Sequence, residues 1–187
     1  MINKFKISLV SNEDIAGIQR VLRETFLATF PNEELGITKE DVEFDLVKIA
    51  STEVVSTYID RALKRSSPHQ FLVAKDEETV VGISQASKKG DSVYWVALFV
   101  LPAYHGQGIG KGFWQEVLTF ARDAKEIFVS VETYNHPAIG FYKKLGFIET
   151  GQRSSSHVTK SGVPVPEMRL MFKVDKSEPR GFPSWLW

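Results

Sequence analysis

The sequence predicts a single α/β domain, with a mixed, mostly antiparallel, twisted sheet of about seven strands and helices on both faces. Three observations carry that expectation. Strand-like segments run almost without interruption from Gln70 to Leu101, joined by turns too short to hold a helix. Helical periodicity flanks this block on both sides, at 12–29 and again after Pro102. The chain has 187 residues; at roughly 100–200 residues per domain that is one domain, long enough to bury a core without staples.

The elements follow in order. Ile2 to Val10 alternates in part, with Phe5, Ile7 and Leu9 on one side, and reads as a strand. Ser11 and Asp14 form a capping box. Behind them Ile15, Ile18, Leu22 and Phe26 recur at helical spacing, so 12–29 reads as an amphipathic helix that Pro31 and Asn32 end. Glu33 to Asp45 is acidic and carries only a weak helical signal. Glu53 to Lys64 reads as a helix closed by Ser66, Ser67 and Pro68. Gln70–Lys75 and Thr79–Ser87 read as strands around the turn Asp76-Glu77-Glu78. Lys88 to Asp91 turns into Ser92–Leu101, rich in β-branched and aromatic residues.

After Pro102, Phe113, Val117, Leu118 and Ala121 share one helix face. Ile127–Val131 is a short apolar strand, expected to be buried on both faces and parallel to its neighbour. Asn135, His136 and Pro137 open a helix through Ala138, Phe141, Tyr142 and Leu145, which Gly146 ends. Phe147–Gly151 and Pro166–Val174 read as the last strands. The domain is therefore placed at 1–174, with an aromatic tail at 175–187. That tail carries Phe182, Trp185 and Trp187, and reads as docked on its own domain, as a homodimer contact or as a free terminus.

Composition excludes several classes. Lys+Arg 23 against Asp+Glu 23 gives no net charge, which argues against a general nucleic-acid binder. No apolar run approaches the ~20 residues of a membrane span, and the start is too short in apolar residues for a secretory signal, so a cytoplasmic protein is the expectation. Cysteine is absent, which removes disulfides, thiolate zinc sites and any thiol nucleophile. The four histidines, His69, His105, His136 and His157, lie at no metal-ligand spacing, so no metal is expected.

The informative segment is His105-Gly106-Gln107-Gly108-Ile109-Gly110-Lys111-Gly112. A strand, a glycine turn and a helix in that order present unpaired N–H groups and the positive end of a helix dipole to one point, where a phosphate is the expected guest. A P-loop frame fails, because His105 and Gly112 stand where Gly and Ser/Thr are required. A dinucleotide frame fails too, with Lys111 or Phe113 at the third glycine.

Leu98 to Gly110 resembles motif A of the GNAT superfamily of N-acetyltransferases, in which [QR]-x-x-G-x-[GA] follows a strand. Val131 to Phe147, VETYNHPAIGFYKKLGF, resembles the family's N-x-x-A-x-x-F-Y-x-K-x-G-F segment. Two motifs in the right order, each between a strand and a helix, extend the resemblance over about residues 1–174. One departure is His105, where the family has Gln or Arg.

The resemblance implies an acetyl-CoA-dependent transfer to a primary amine. Backbone N–H groups of Gln107, Gly108, Ile109, Gly110 and Lys111 would hold the diphosphate, with His105 or Lys111 replacing the lost side-chain contact. The main chain of Phe99 and Val100 would pair with the pantetheine arm, which requires the Ser92–Leu101 strand to splay from Ile127–Val131. Asn135 would hydrogen-bond that arm, and Ala138 and Phe141 would pack near it. Tyr142 would be the general acid toward the departing thiolate, and a backbone N–H near Phe99 or Val100 would stabilise the oxyanion. Many relatives carry a glutamate near the position of Tyr94, but no carboxylate lies between Ser92 and Leu101 here; Glu132 and Glu24 are candidates for the base by location. Without cysteine there is no acetyl-thiol intermediate, so transfer is direct, in a ternary complex.

A small-molecule amine is the expected acceptor. Glu33, Glu34, Glu40, Asp41, Glu43 and Asp45 read as a solvated acidic face; as a lid they would attract cationic amines. Two other readings stand beside this one: a CoA-binding sensor without turnover, and a transferase acting on protein N-termini or lysines.

Overall fold

The computed structural model describes residues 5–155 and 157–175. These residues form one open seven-stranded sheet in the order β1-β2-β3-β4-β5-β7-β6. The strands are β1 (Lys6–Leu9), β2 (His69–Asp76), β3 (Thr79–Lys89), β4 (Ser92–Val100), β5 (Glu126–Glu132), β6 (Ile148–Ser154) and β7 (Glu167–Lys173). The helices are α1 (Ile15–Thr29), α2 (Lys39–Ile49), α3 (Thr52–Leu63), α4 (Ile109–Phe120) and α5 (His136–Lys144). Only β4 and β5 run parallel; the other neighbouring pairs are antiparallel. Helices cover both faces, as expected. Phe26 of α1 packs on Phe99, while Trp114 of α4 and Tyr142 of α5 pack on Trp95 of the opposite face.

Local chemistry explains the element starts. The Ser11–Asp14 box forms, with the Ser11 N–H donating to Asp14 Oδ2 at 2.8 Å, and it caps a 3₁₀ turn over Asn12–Asp14 that runs into α1. Buried Asp14 also meets Lys75 Nζ at 2.7 Å, which ties the start of α1 to β2. The acidic segment departs from expectation, because it contains the full helix α2. Thr38 caps that helix by accepting from the Asp41 N–H at 3.1 Å while Asp41 reaches back to the Thr38 N–H, a second capping box in the sequence.

Two expectations about strand faces are corrected. Leu9 is 59% exposed, because β1 is an edge strand and buries only Phe5 and Val10 at its ends. β5 is parallel to β4, but it is not buried on both faces. Ile127, Val129 and Val131 are buried, whereas Phe128, Ser130 and Glu132 face a cavity. The strand reading at 2–4 and the tail beyond Asp175 lie outside the described residues.

Helix α1 sits close to the sheet because Gly17 has no side chain. A Cβ there would lie 2.8 Å from the Cβ of Val80 and 2.7 Å from its Cγ2. Gly17→Ala therefore sets a helix-propensity gain of about 1 kcal/mol against overpacking of roughly 1–3 kcal/mol. Overpacking wins, because the clash reaches a Cβ fixed to backbone, and a net loss of about 1–2 kcal/mol is expected in urea unfolding.

Candidate active site

The site begins where two strands part. β4 and β5 pair at Ser92↔Glu126, Val93↔Ile127 and Tyr94↔Phe128, and the pairing stops there. β4 stays held by β3 up to Val100, and β5 stays held by β7 up to Glu132. At the fork the Tyr94 ring stacks on Phe128 at 5.5 Å. One step on, Val96 has no partner between Trp95↔Ala86 and Ala97↔Gln85, so β4 carries a bulge. The bulge re-aims the strand: Trp95 stacks on Trp114 at 5.5 Å, yet Phe99 faces α1, 5.0 Å from Phe26.

Main-chain directions follow. The Phe99 carbonyl points toward β3, 3.1 Å from where a Gly82 Cβ would sit. Alternation turns the carbonyls of Leu98 and Val100 to the open edge. Of the two residues singled out here from sequence, Val100 turns its carbonyl to the fork, where the His105 ring meets it, and Phe99 offers its ring to the cavity.

The glycine turn follows a 3₁₀ turn over Pro102–Tyr104. Gly106 and Gly108 adopt φ of +74° and +88°, a left-handed backbone that side chains disfavour, and a Cβ on either would meet nothing within 4 Å. Gly110 and Gly112 serve packing instead: a Cβ would lie 3.1 Å from the Phe141 ring and 2.6 Å from Ile7 Cδ1 respectively. The first internal bond of α4 is Gly112 N–H to the Gly108 carbonyl at 2.9 Å. Among the described residues, no protein acceptor takes the N–H of Gln107, Gly108, Ile109 or Gly110. These donors gather at the positive end of α4 in open space, which suits an anion with several oxygens. Lys111 stands exposed beside them.

His105 is turned elsewhere. Its Nε2 lies 2.8 Å from the Val100 carbonyl, and since a carbonyl only accepts, Nε2–H is the donor. The imidazole thus fastens the turn to the end of β4. Gln107 Nε2 likewise donates to the Ala103 carbonyl at 3.0 Å.

Helix α5 brings the second motif to the same place. Asn135 Oδ1 accepts from the Ala138 N–H at 3.2 Å, an N-cap, and its amide donates to the Glu132 carboxylate. Half-buried Phe141 approaches the glycine turn through Gly110, with Ala138 half-buried one turn earlier. Tyr142 is buried, edge-on to Trp95 at 5.6 Å and to Phe147 at 5.5 Å. Trp95 is itself fixed by donating Nε1–H to buried Ser84 Oγ at 2.9 Å. Burial, and then the charge of Glu132, push the Tyr142 phenol well above its usual range, so its proton stays on the oxygen at neutral pH.

On the other face of the fork lies a cavity of about 560 Å³ between the sheet, α1, α2, α3 and the β6–β7 loop. Glu132 lines it, directly across the β5–β7 ladder from Glu167. Burial, and secondarily Glu167, raise the Glu132 carboxyl above its usual range, although Asn135 and His157 draw it partly back. Tyr134 donates its O–H to the Phe30 carbonyl at 3.2 Å, and burial pushes its phenol up to about 12. Glu24, the other candidate base, is exposed on α1 and does not line this cavity.

Two carboxylates one turn apart on α2 close the cavity's roof. Asp45 Oδ2 lies 3.0 Å from His157 Nε2. Asp41, 3% exposed, accepts from the Ser161 N–H at 2.8 Å and the Ser161 O–H at 2.7 Å besides capping α2. The acidic segment is thus divided, with Glu33, Glu34, Glu40 and Glu43 solvated and Asp41 and Asp45 clasping the loop. Reading the sequence missed Glu167, Ser161 and His157 at this site, because only the strand register and the loop's return bring them there. The Thr38-x-x-Asp41 spacing was the one available signal for the clasp.

Ser161 first, and then Thr38, hold the Asp41 carboxyl well below the usual range. A folded value below the unfolded one gives stability that is present above the ordinary carboxylate pKa of about 3.9 and is lost as pH falls through that region toward the folded value. Asp41→Asn should therefore be less stable than the parent at pH 7, with the difference shrinking as pH falls below about 4. Paired urea titrations from pH 7 to pH 3 read this directly; a gap that stays constant would count against it.

The acetyltransferase (GNAT) family profile matches residues 28–147. The chain is 41% identical over 76 residues to the peptidyl-lysine N-acetyltransferase YjaB of Salmonella typhimurium, covering 41% of this chain and 48% of that protein. It is 37% identical over 93 residues to the N-alpha-acetyltransferase RimI of Mycobacterium tuberculosis, covering 47% and 58%. The match thus spans about half the length of these curated relatives. In fold, the PaiA N-acetyltransferase of Thermoplasma acidophilum, solved in complex with coenzyme A, superposes with a TM-score of 0.75 at 21% identity, covering 90% of this chain and 98% of that one. The yncA protein of Salmonella typhimurium, solved with acetyl-CoA, gives 0.61 at 20% identity, covering 95% and 98%. With fork, glycine turn and α5 in this arrangement and the profile spanning most of the domain, the chain belongs to the acetyltransferase (GNAT) family.

Proposed function

We propose that this protein transfers an acetyl group from acetyl-CoA to a primary amine, by direct attack in a ternary complex. The observation that carries this reading is the alignment of unclaimed N–H groups at Gln107–Gly110 with the open edge of β4. The two fit different parts of one ligand: a diphosphate at the helix end, and an extended arm beside the main chain of Leu98. Relatives of this fold solved with coenzyme A or acetyl-CoA support the choice of ligand.

Bound acetyl-CoA supplies the acetyl group and a thiolate leaving group. The chain supplies the proton handling. Glu132, raised by burial, is the base that takes the proton from the incoming ammonium, directly or through a water. Tyr142 keeps its proton at neutral pH and donates it to the departing sulfur. Trp95 and Phe147 hold that phenol ring in place. Asn135, whose side chain also hydrogen-bonds Glu132, stands at the start of α5 to meet the extended arm.

The walled cavity favours a small-molecule amine, whereas the names of the aligned relatives favour protein lysines or N-termini. A coenzyme A release assay with both acceptor types separates these.

Acetyl-CoA at 100 times its Kd should add about 2.7 kcal/mol to folding stability, read as a thermal shift. Gly108→Val should lose that shift, because φ of +88° resists a branched residue and the turn must reshape. An unshifted parent protein at millimolar acetyl-CoA would remove the reading. Tyr142→Phe should bind acetyl-CoA normally but turn over about 10²-fold more slowly. In the parent, activity should rise with pH through the raised Glu132 value, because the base works ionised. Glu132→Gln should flatten that acid limb; an unchanged pH profile would take the base role from Glu132.

A further inference from the structure

We infer that the acceptor is a monoamine carried on an apolar, ring-bearing body, and that polyamines, amino sugars and peptide lysines are poor acceptors. This rests on the proposed acetyl transfer and names the substrate class of the same cavity.

The distribution of charge along the cavity carries the inference. Its walls run across the sheet from β2 to β7, and the strand order places their chemistry. Glu132 and Glu167 stand at the β5–β7 end, facing each other across one rung of the ladder. Like charges so placed repel, and one ammonium between them relieves both. Among the described residues, no lysine or arginine pairs with either. The remaining lining carboxylate, Asp45, is occupied by His157 at 3.0 Å. The cavity therefore offers one cation site, beside the fork where the thioester would lie.

The β2–β3 end is different. It is walled by Phe71 and Ile83, with Leu22 of α1 and Val55 of α3 above them, all buried. Neighbouring strands stand about 4.8 Å apart, so this wall lies on the order of 10–14 Å from β5, about the reach of a ring on a short alkyl chain. A second ammonium placed there would lose its water and find no carboxylate. A hydroxylated sugar ring would find Gln85 as its polar partner on these two strands, too few groups for the hydroxyls of an amino sugar. An apolar ring buries its surface against Phe26 and Phe99. A peptide would have to bring its lysine in beneath α2 and the β6–β7 loop, which Asp41–Ser161 and Asp45–His157 tie together.

The test measures kcat/KM by coenzyme A release for 2-phenylethylamine, spermidine, an aminoglycoside and a lysine-bearing peptide, with the acetyl-CoA thermal shift recorded alongside. Phenylethylamine at least tenfold above the other three is expected. Spermidine, the aminoglycoside or the peptide equalling or exceeding it overturns the inference. So does an acetyl-CoA shift with no amine in the panel acetylated, which leaves cofactor binding intact. Absence of the thermal shift fails the acetyl-transfer reading itself, and this inference with it. Ile49→Glu gives a second arm. Ile49 lines the cavity from α2 yet is 37% exposed, so the substitution spares the core while adding a second carboxylate, unpaired with His157, to the lining away from Glu132 and Glu167. It should narrow the phenylethylamine-to-spermidine ratio at least tenfold; an unchanged ratio counts against the charge argument.

Discussion

The whole arrangement depends on two strands that stop pairing. β4 and β5 share three rungs and then separate, and both survive the separation because each keeps a full ladder on its other side. Unpaired main chain is normally costly when buried, so a fork of this kind is tolerated where a ligand or water completes it. Aromatic side chains fill both flanks of the opening. Tyr94 and Phe128 close its vertex, Trp95 supports α5 from one face, and Phe99 meets α1 on the other. The Val96 bulge makes this division possible, because it switches the facing of β4 within a single residue.

Four buried or half-buried carboxylates show how surroundings assign roles. Asp14 and Asp41 are saturated with donors, which makes them fasteners that join a helix start to distant chain. Glu132 and Glu167 face each other across the ladder, and Glu132, through burial first and Glu167 second, holds its proton more tightly. The same functional group is thus locked in one setting and poised in the other, and donor count decides which.

Much of this was legible in the residues. The glycine turn, the Asn135–Phe147 segment and the Ser11 box are local signals, and local hydrogen bonding enforces them. What escaped was non-local. Helix α2 was hidden because its acidic composition masked the Thr38–Asp41 box. Exposure of Ser130 on an otherwise apolar strand follows from the fork, which no periodicity encodes. His105 looked like a phosphate contact because of its motif position; the adjacent Val100 carbonyl claims it instead. Glu167 enters only through the register of β7 against β5.

The four glycines of the turn divide its tolerance to change. Positions 106 and 108 are closed by backbone angle, 110 and 112 by the neighbours pressed against them, and Ile109 is sunk in the core. Gln107 and Lys111 are exposed, as is His105, whose ring is tied to the Val100 carbonyl. A tether for immobilisation could be grafted at Gln107 or Lys111, where the backbone lies outside the left-handed region and the residue already faces solvent.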